Sequence, residues 1–150
     1  ADTDGLQVRK KLQEFAASRS GQTLVVESLG QRRYLSLMHH ASAVIGNSSS
    51  GLLEAPAVGV PTVNVGNRQK GRLTAPSVIS CGETTEEIVA AITKAISSGH
   101  RELSAMKSTP YGKPGAARRM LDVLKKADLS GLVTKRFYDI DIGQCKAVER

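Results

Sequence analysis

Tryptophan is absent and aromatic residues make up only 3% of the 150-residue chain, with Phe15, Tyr34, Tyr111, Phe137 and Tyr138 as the whole inventory. A core made from this composition is aliphatic, and an aromatic platform for stacking nucleic-acid bases is not expected. Cysteine is as scarce: Cys81 and Cys145 stand in dissimilar surroundings, with no CxxC pair and no histidine at ligand spacing. That argues against a disulfide framework and fits a reducing cytoplasm. No apolar run approaches the roughly 18 residues of a spanning helix, and the N-terminus does not read as a signal peptide. A soluble, cytoplasmic protein without a membrane partner is expected. Missing too are a Walker lysine, a Gly-x-Gly-x-x-Gly spacing and a Gly-x-Ser-x-Gly nucleophile elbow.

What is present is ordinary for a globular chain, 40% hydrophobic and 23% charged, and long enough to bury a core as one domain. The formal net charge of +7 invites a nucleic-acid partner. The basic residues, however, fall in small groups spread along the chain, such as Arg32-Arg33, Arg118-Arg119 and Lys125-Lys126. They read as solvated helix faces, which argues against a polynucleotide. A basic balance also suits one half of a larger protein.

Along the chain, Leu6, Val8, Leu12, Phe15 and Ala16 form a helical stripe that ends near Ser20-Gly21. Thr23-Leu24-Val25-Val26 reads as a short buried parallel strand, Tyr34 to Ala41 as a helix and Ala43 to Gly46 as the next strand. From Ser48 a helix runs toward Val58, with Pro56 kinking or ending it. Pro61 to Val65 and Ser77 to Cys81 are further strands. Thr84 and Glu87 form a capping box for a helix that buries Ile88, Ala91, Ile92, Ala95 and Ile96 and stops at Ser98-Gly99. A last helix runs from about Ala116 to Lys126, and residues 128–150 read as a tail. Strands alternating with helices on near-continuous apolar runs predict an α/β fold with a parallel sheet.

The centre of this pattern is Gly46-Asn47-Ser48-Ser49-Ser50-Gly51, between a buried strand and a helix. A strand-to-helix turn leaves backbone N–H groups unpaired, and these favour an anion, with the helix dipole adding about 0.3–1 kcal/mol. Serine hydroxyls add donors, while Glu54, about two turns on, is better placed for sugar hydroxyls than for the same phosphate. The same Asn-Ser-Ser-Ser-Gly string is also what an ordinary turn or helix cap looks like, and both readings stay open on that string alone. Its context adds weight, because Gly46 to Ser50 and Gly66 to Arg72 both follow strands, and ligands of open α/β sheets sit beyond the carboxyl ends of strands. On the second loop the Arg68 guanidinium matches a pair of diphosphate oxygens. His39 and His40 point about 100° apart on a helix with no further ligand, so no metal and no cofactor are expected. Asp139 and Asp141 read as a solvated edge, and no side chain stands out as a general base.

Ile45-Gly46-Asn47-Ser48-Ser49-Ser50-Gly51-x-x-Glu54, followed by Gly59-Val60-Pro61-Thr62-Val63-Asn64-Val65-Gly66-Asn67-Arg68-Gln69-x-Gly71-Arg72, resembles the UDP-N-acetylglucosamine 2-epimerase family. Gly-Asn-Ser-Ser with Arg-Gln-x-Gly-Arg is similar to its hydrolysing branch, whereas the non-hydrolysing branch usually has Asp-Ser-Gly-Gly at the turn. The likeness runs from Ala1 to Ile140 but covers only the C-terminal half of the family's protein. One departure lies at Gly115-Ala116-Ala117, where members often carry Gly-Asn-Ala.

The resemblance implies a Rossmann-like parallel sheet with helices on both faces, as the C-terminal half of a glycosyltransferase-B-type fold. It implies a UDP-binding domain over 1–127, cut at its N-terminal edge, and a tail over 128–150. It places Ser48 and Ser49 on the diphosphate, Glu54 on the ribose, Arg68 on the phosphates, and Leu29 and Tyr34 at the uracil. The partners implied are a UDP-sugar substrate, the N-terminal domain of the same enzyme and further copies in a homo-oligomer. No catalytic residue is expected in this chain, because the family's acids and bases lie mostly on the other half. A stand-alone nucleotide- or nucleic-acid-binding regulatory module is the alternative reading.

Overall fold

The computed structural model describes residues 5–19, 21–131 and 133–134. The chain divides into two compact units, Ala1–Gly112 and Lys113–Arg150.

In the first unit, helix α1 (Gly5–Ser18) forms where the 3.6-residue stripe predicts it. Its apolar side is not covered by the described residues: Leu6, Val8, Leu12 and Phe15 are between 50% and 82% exposed. Thr23 to Val26 departs from the sequence reading. It is not a strand, and Leu24, Val25 and Val26 are exposed. β-Branched composition favours a pleated surface, but a strand exists only where a neighbour completes its ladder, and none of the described strands pairs with this run.

Helix α2 (Gly30–His40) leads into a three-stranded parallel sheet of β1 (Val44–Gly46), β2 (Thr62–Val65) and β3 (Val78–Cys81), in that order. Gly46 lies opposite Asn64, and Asn64 opposite Ser80. Between β1 and β2 the expected helix is two single turns, α3 (Ser50–Leu53) and α4 (Ala55–Val58), separated at Glu54. Pro56 is the cause: without an N–H it cannot donate to the carbonyl four residues back, so a continuous ladder breaks there and restarts with proline in the first turn. Gly59, in the left-handed region at φ 92°, closes α4 by donating to the Ala55 and Pro56 carbonyls.

Side chains alternate along β2, and the alternation divides the packing. Val63 joins Ala91 and Ala95 of helix α5 (Thr85–Ala95) in one buried cluster, with Val65, Ile79 and Ile92 against it. On the opposite face the Thr62 hydroxyl donates to the Gly51 carbonyl of α3 at 2.8 Å. Helices therefore cover both faces. A second cluster of Met38, Ala55 and Val60, with Tyr34, Val44 and Val58, joins α2 to α4.

The capping box at α5 is as the sequence predicts: the Glu87 N–H donates to Thr84 Oγ1 and the Thr84 N–H to the Glu87 carboxylate, each at 3.3 Å. Ile96, expected in the core, is 47% exposed because α5 ends one residue earlier. A further helix, α6 (Ser98–Ala105), carries too few apolar residues to be read from sequence. Polar contacts hold it: Ser104 donates to the His100 carbonyl at 2.8 Å, and the His100 ring meets the Ser77 carbonyl at 3.2 Å.

In the second unit, helix α7 (Ala116–Lys126) has the expected bounds. Arg119 donates to the Pro114 and Lys113 carbonyls ahead of it. Met120, Leu121, Val123 and Leu124 are exposed. The tail from Lys135 onward, including Asp139 and Asp141, lies outside the described residues.

The seating of α3 on the sheet leaves no room for a side chain at Gly51, where an added Cβ would lie 2.8 Å from Thr62 Cγ2. Gly51→Ala is expected to cost about 1–3 kcal/mol of stability through overpacking. Urea unfolding measures it, and an unchanged midpoint would contradict the packing described.

Candidate functional site

Because β1 and β2 pair side by side in parallel, the loops that follow them leave the same edge of the sheet. A direct bond joins these loops: the Gln69 side-chain amide donates to the Asn47 carbonyl at 2.7 Å. Gln69 is buried, so the loop carrying Arg68 is pinned to the serine turn from the inside.

At the turn, Gly46 has φ 146°, a conformation that favours glycine. Ser48 turns its hydroxyl inward to accept the Ser50 N–H at 3.3 Å, and its carbonyl accepts the Gly51 N–H at 3.1 Å. Among the described residues the N–H groups of Ser48 and Ser49 have no partner. They are the donors left for an anion. A four-residue α3 has little macrodipole, so the support for an anion here is local, from N–H groups and hydroxyls. Ser48 is exposed and Ser49 half-buried.

A cavity of about 540 Å³ is lined by residues 26–31, Tyr34 and Glu54. Leu29 and Tyr34 thus share a wall with Glu54, the residue at the break between α3 and α4. The Tyr34 hydroxyl lies 2.8 Å from Ser50 Oγ, and Ser50 Oγ donates to Glu54 Oε2. Since the Ser50 proton goes to the carboxylate, the Tyr34 hydroxyl donates to Ser50. The structure therefore gathers Leu29, Tyr34, Glu54, Ser48 and Ser49 around α3. Arg68 lies on the neighbouring loop, exposed, and its guanidinium makes no hydrogen bond or ion pair among the described residues.

Three residues that sequence reasoning did not single out organise this edge. Ser50 was legible only as one of three serines, although its spacing of four to Glu54 places both on one helix face. Gln69 was legible only as the neighbour of Arg68. Asn64 donates to Ser80 Oγ at 3.2 Å and, with Gln69, Arg72 and Ser80, lines a smaller cavity of about 250 Å³. The Asn64 and Gln69 side-chain oxygens are buried and unpartnered among the described residues.

Other groups carry less chemistry. A groove of about 580 Å³ between α1 and residues 25–27 is walled mainly by Val8, Leu12, Val25 and Val26 and crossed by an Arg9–Glu27 ion pair. Desolvation, helped by the Glu87 charge, pushes the Cys81 thiol above its usual range, which suits an inert thiol rather than a nucleophile. Among the described residues no three His, Cys, Asp or Glu side chains converge as metal ligands. No described helix is long and apolar enough to cross a membrane.

Replacing the Gln69 amide by a carboxylate tests the bond between the loops. Gln69→Glu sets an acceptor against the Asn47 carbonyl, and the expected loss is about 1–3 kcal/mol at pH 7. Burial beside a carbonyl raises the new carboxyl's folded pKa, so the deficit should shrink as pH falls through that pKa and the group becomes a donor. Urea unfolding at pH 7 and pH 5 checks this; equal deficits at both would contradict it.

Comparison with known proteins places the chain in a family. The family model described as UDP-N-acetylglucosamine 2-epimerase matches residues 3–125. A GDP/UDP-N,N'-diacetylbacillosamine 2-epimerase (hydrolyzing) from Campylobacter jejuni is 44% identical over 79 residues, 53% of this chain and 21% of the relative. The polysialic acid biosynthesis protein P7 of Escherichia coli is 34% identical over 143 residues, 93% of this chain and 36% of the relative. A UDP-N-acetylglucosamine 2-epimerase from Neisseria meningitidis is 38% identical over 91 residues, 61% of this chain and 24% of the relative. The matches thus span between about a fifth and about a third of these relatives' lengths. With a family model covering most of its length and two folded loops carrying the motif residues, the chain belongs to the UDP-N-acetylglucosamine 2-epimerase family.

Proposed function

We propose that the chain is the UDP-binding, C-terminal half of a hydrolysing UDP-N-acetylglucosamine 2-epimerase. Such an enzyme turns UDP-N-acetylglucosamine and water into N-acetylmannosamine and UDP, on a route to sialic acid or a related nonulosonate, in the cytoplasm. The observation that carries this reading is the Tyr34–Ser50–Glu54 chain, which links a cavity wall suited to a base and ribose to the serine turn. Along that edge Leu29 and Tyr34 would flank the uracil and Glu54 would accept from the ribose. Ser48, Ser49 and Arg68 would hold the diphosphate.

In the reaction, loss of the proton at C2 and cleavage of the C1–O bond form a 2-acetamidoglucal, and the bond's electrons pass to the UDP oxygen. Water then adds across the new double bond, its hydroxyl to C1 and a proton to C2 with inversion. This chain's share is the leaving group: N–H donors at Ser48 and Ser49 and the Arg68 guanidinium stabilise charge growing on the phosphate oxygen. The groups that move protons belong to the N-terminal domain, its proposed partner, and full-length copies form a homo-oligomer.

Calorimetry of the chain at moderate salt is expected to show saturable heat with UDP. No heat with UDP, together with tight and salt-sensitive binding to a polynucleotide, would overturn the reading in favour of a nucleic-acid module. Arg68→Ala is expected to weaken UDP at least about tenfold, the loss of a charge-assisted bond. An unchanged affinity would remove Arg68 from the site.

A further inference from the structure

Ser50 does not line the cavity of Leu29, Tyr34 and Glu54, yet it touches two residues that do. Its hydroxyl has one proton, which goes to Glu54 Oε2, and lone pairs, one of which takes the Tyr34 proton at 2.8 Å. The Glu54 N–H in turn donates to the Ser50 carbonyl at 2.9 Å, so backbone and side chain are fixed to the same residue. Tyr34 itself is held in the cluster of Met38, Ala55 and Val60. A glutamate on a free side chain samples several rotamers; this one has Oε2 tied to Ser50, which Tyr34 of α2 contacts in turn. Glu54 also lines the cavity, and its second carboxylate oxygen accepts no hydrogen bond among the described residues.

From this geometry we infer that Ser50 is a positioning residue that sets the ligand class of the cavity to ribonucleotides, by holding Glu54 where its free oxygen meets the ribose hydroxyls. The inference rests on the UDP reading and extends it. A fixed acceptor rewards a ligand that brings hydroxyl donors, and one that lacks them would cover this half-buried carboxylate oxygen without pairing it. Discrimination between ribose and deoxyribose therefore depends on a serine that contacts neither. Tyr34 contributes through its hydroxyl as well as its ring, because it satisfies the Ser50 oxygen and fixes the direction of the Ser50 proton.

The test titrates the chain with UDP and with 2′,3′-dideoxyuridine 5′-diphosphate. The wild type is expected to bind UDP about tenfold or more tightly than the dideoxy analogue, the worth of a hydrogen bond to a charged group. Ser50→Ala and Tyr34→Phe are each expected to weaken UDP about three- to tenfold and the analogue less than about twofold, so that the ratio collapses. The double variant should lose little more than Ser50→Ala alone, because Tyr34 acts through Ser50. A merely structural role would weaken both nucleotides alike. Tyr34→Phe keeps the packed ring, so it reports even where Ser50→Ala folds poorly. Variants that retain the wild-type ratio overturn the inference and leave the UDP reading standing, whereas a wild type that takes up no UDP overturns both.

Discussion

The hydrogen bond from Thr62 to the Gly51 carbonyl seats α3 directly on β2, and the rest of the site is hung from that contact. It is close enough that only glycine fits above Thr62 Cγ2. From there Tyr34, Glu54 and the loop of Gln69 are each located by a short chain of bonds. The serine turn enters α3, and Glu54 leaves it. Tyr34 reaches across from α2 to Ser50, and Gln69 reaches from the next loop to Asn47. One turn of helix thus carries or contacts the groups proposed above to hold the base, the sugar and the diphosphate.

The break at Glu54 serves the same end. Had the helix run on to Val58, residue 54 would be one more position in an unbroken ladder. Pro56 instead ends the first turn and starts a second, with Glu54 at the joint, its carboxylate drawn back to Ser50. The cost is a short helix with a weak dipole, beside which stand the Ser48 and Ser49 N–H groups, unpartnered among the described residues. Anion binding of this kind depends on local donors in a fixed concave arrangement, so it is sensitive to the conformation of Gly46 to Ser49 more than to helix length.

Much of this was legible in the sequence because short-range rules fixed it. The capping box at Thr84 and Glu87, the strand residues of β1 to β3, the proline break and the bounds of α7 all follow from local patterns that the packing did not oppose. What failed was what needs a neighbour. Thr23 to Val26 has strand composition but no described strand beside it, and the stripe of α1 has an apolar side without a described cover. Helix α6 was missed because it has few apolar residues and is held instead by contacts such as that of its His100 ring with the Ser77 carbonyl. In the site, Ser48, Ser49, Glu54 and Arg68 could be picked out from spacing and charge. The roles of Ser50 and Gln69 could not, since each depends on a partner 16 or 22 residues away.

The central proposal is that this sheet edge holds UDP with its parts in a set order. A crystal structure of the chain soaked with UDP addresses it most directly. The account predicts uracil between Leu29 and Tyr34, ribose hydroxyls on Glu54, and phosphate oxygens against the Ser48 and Ser49 amides with Arg68 folded over them. Nucleotide density elsewhere, such as in the groove beside α1, or a reversed nucleotide with its base at the serine turn, would contradict it.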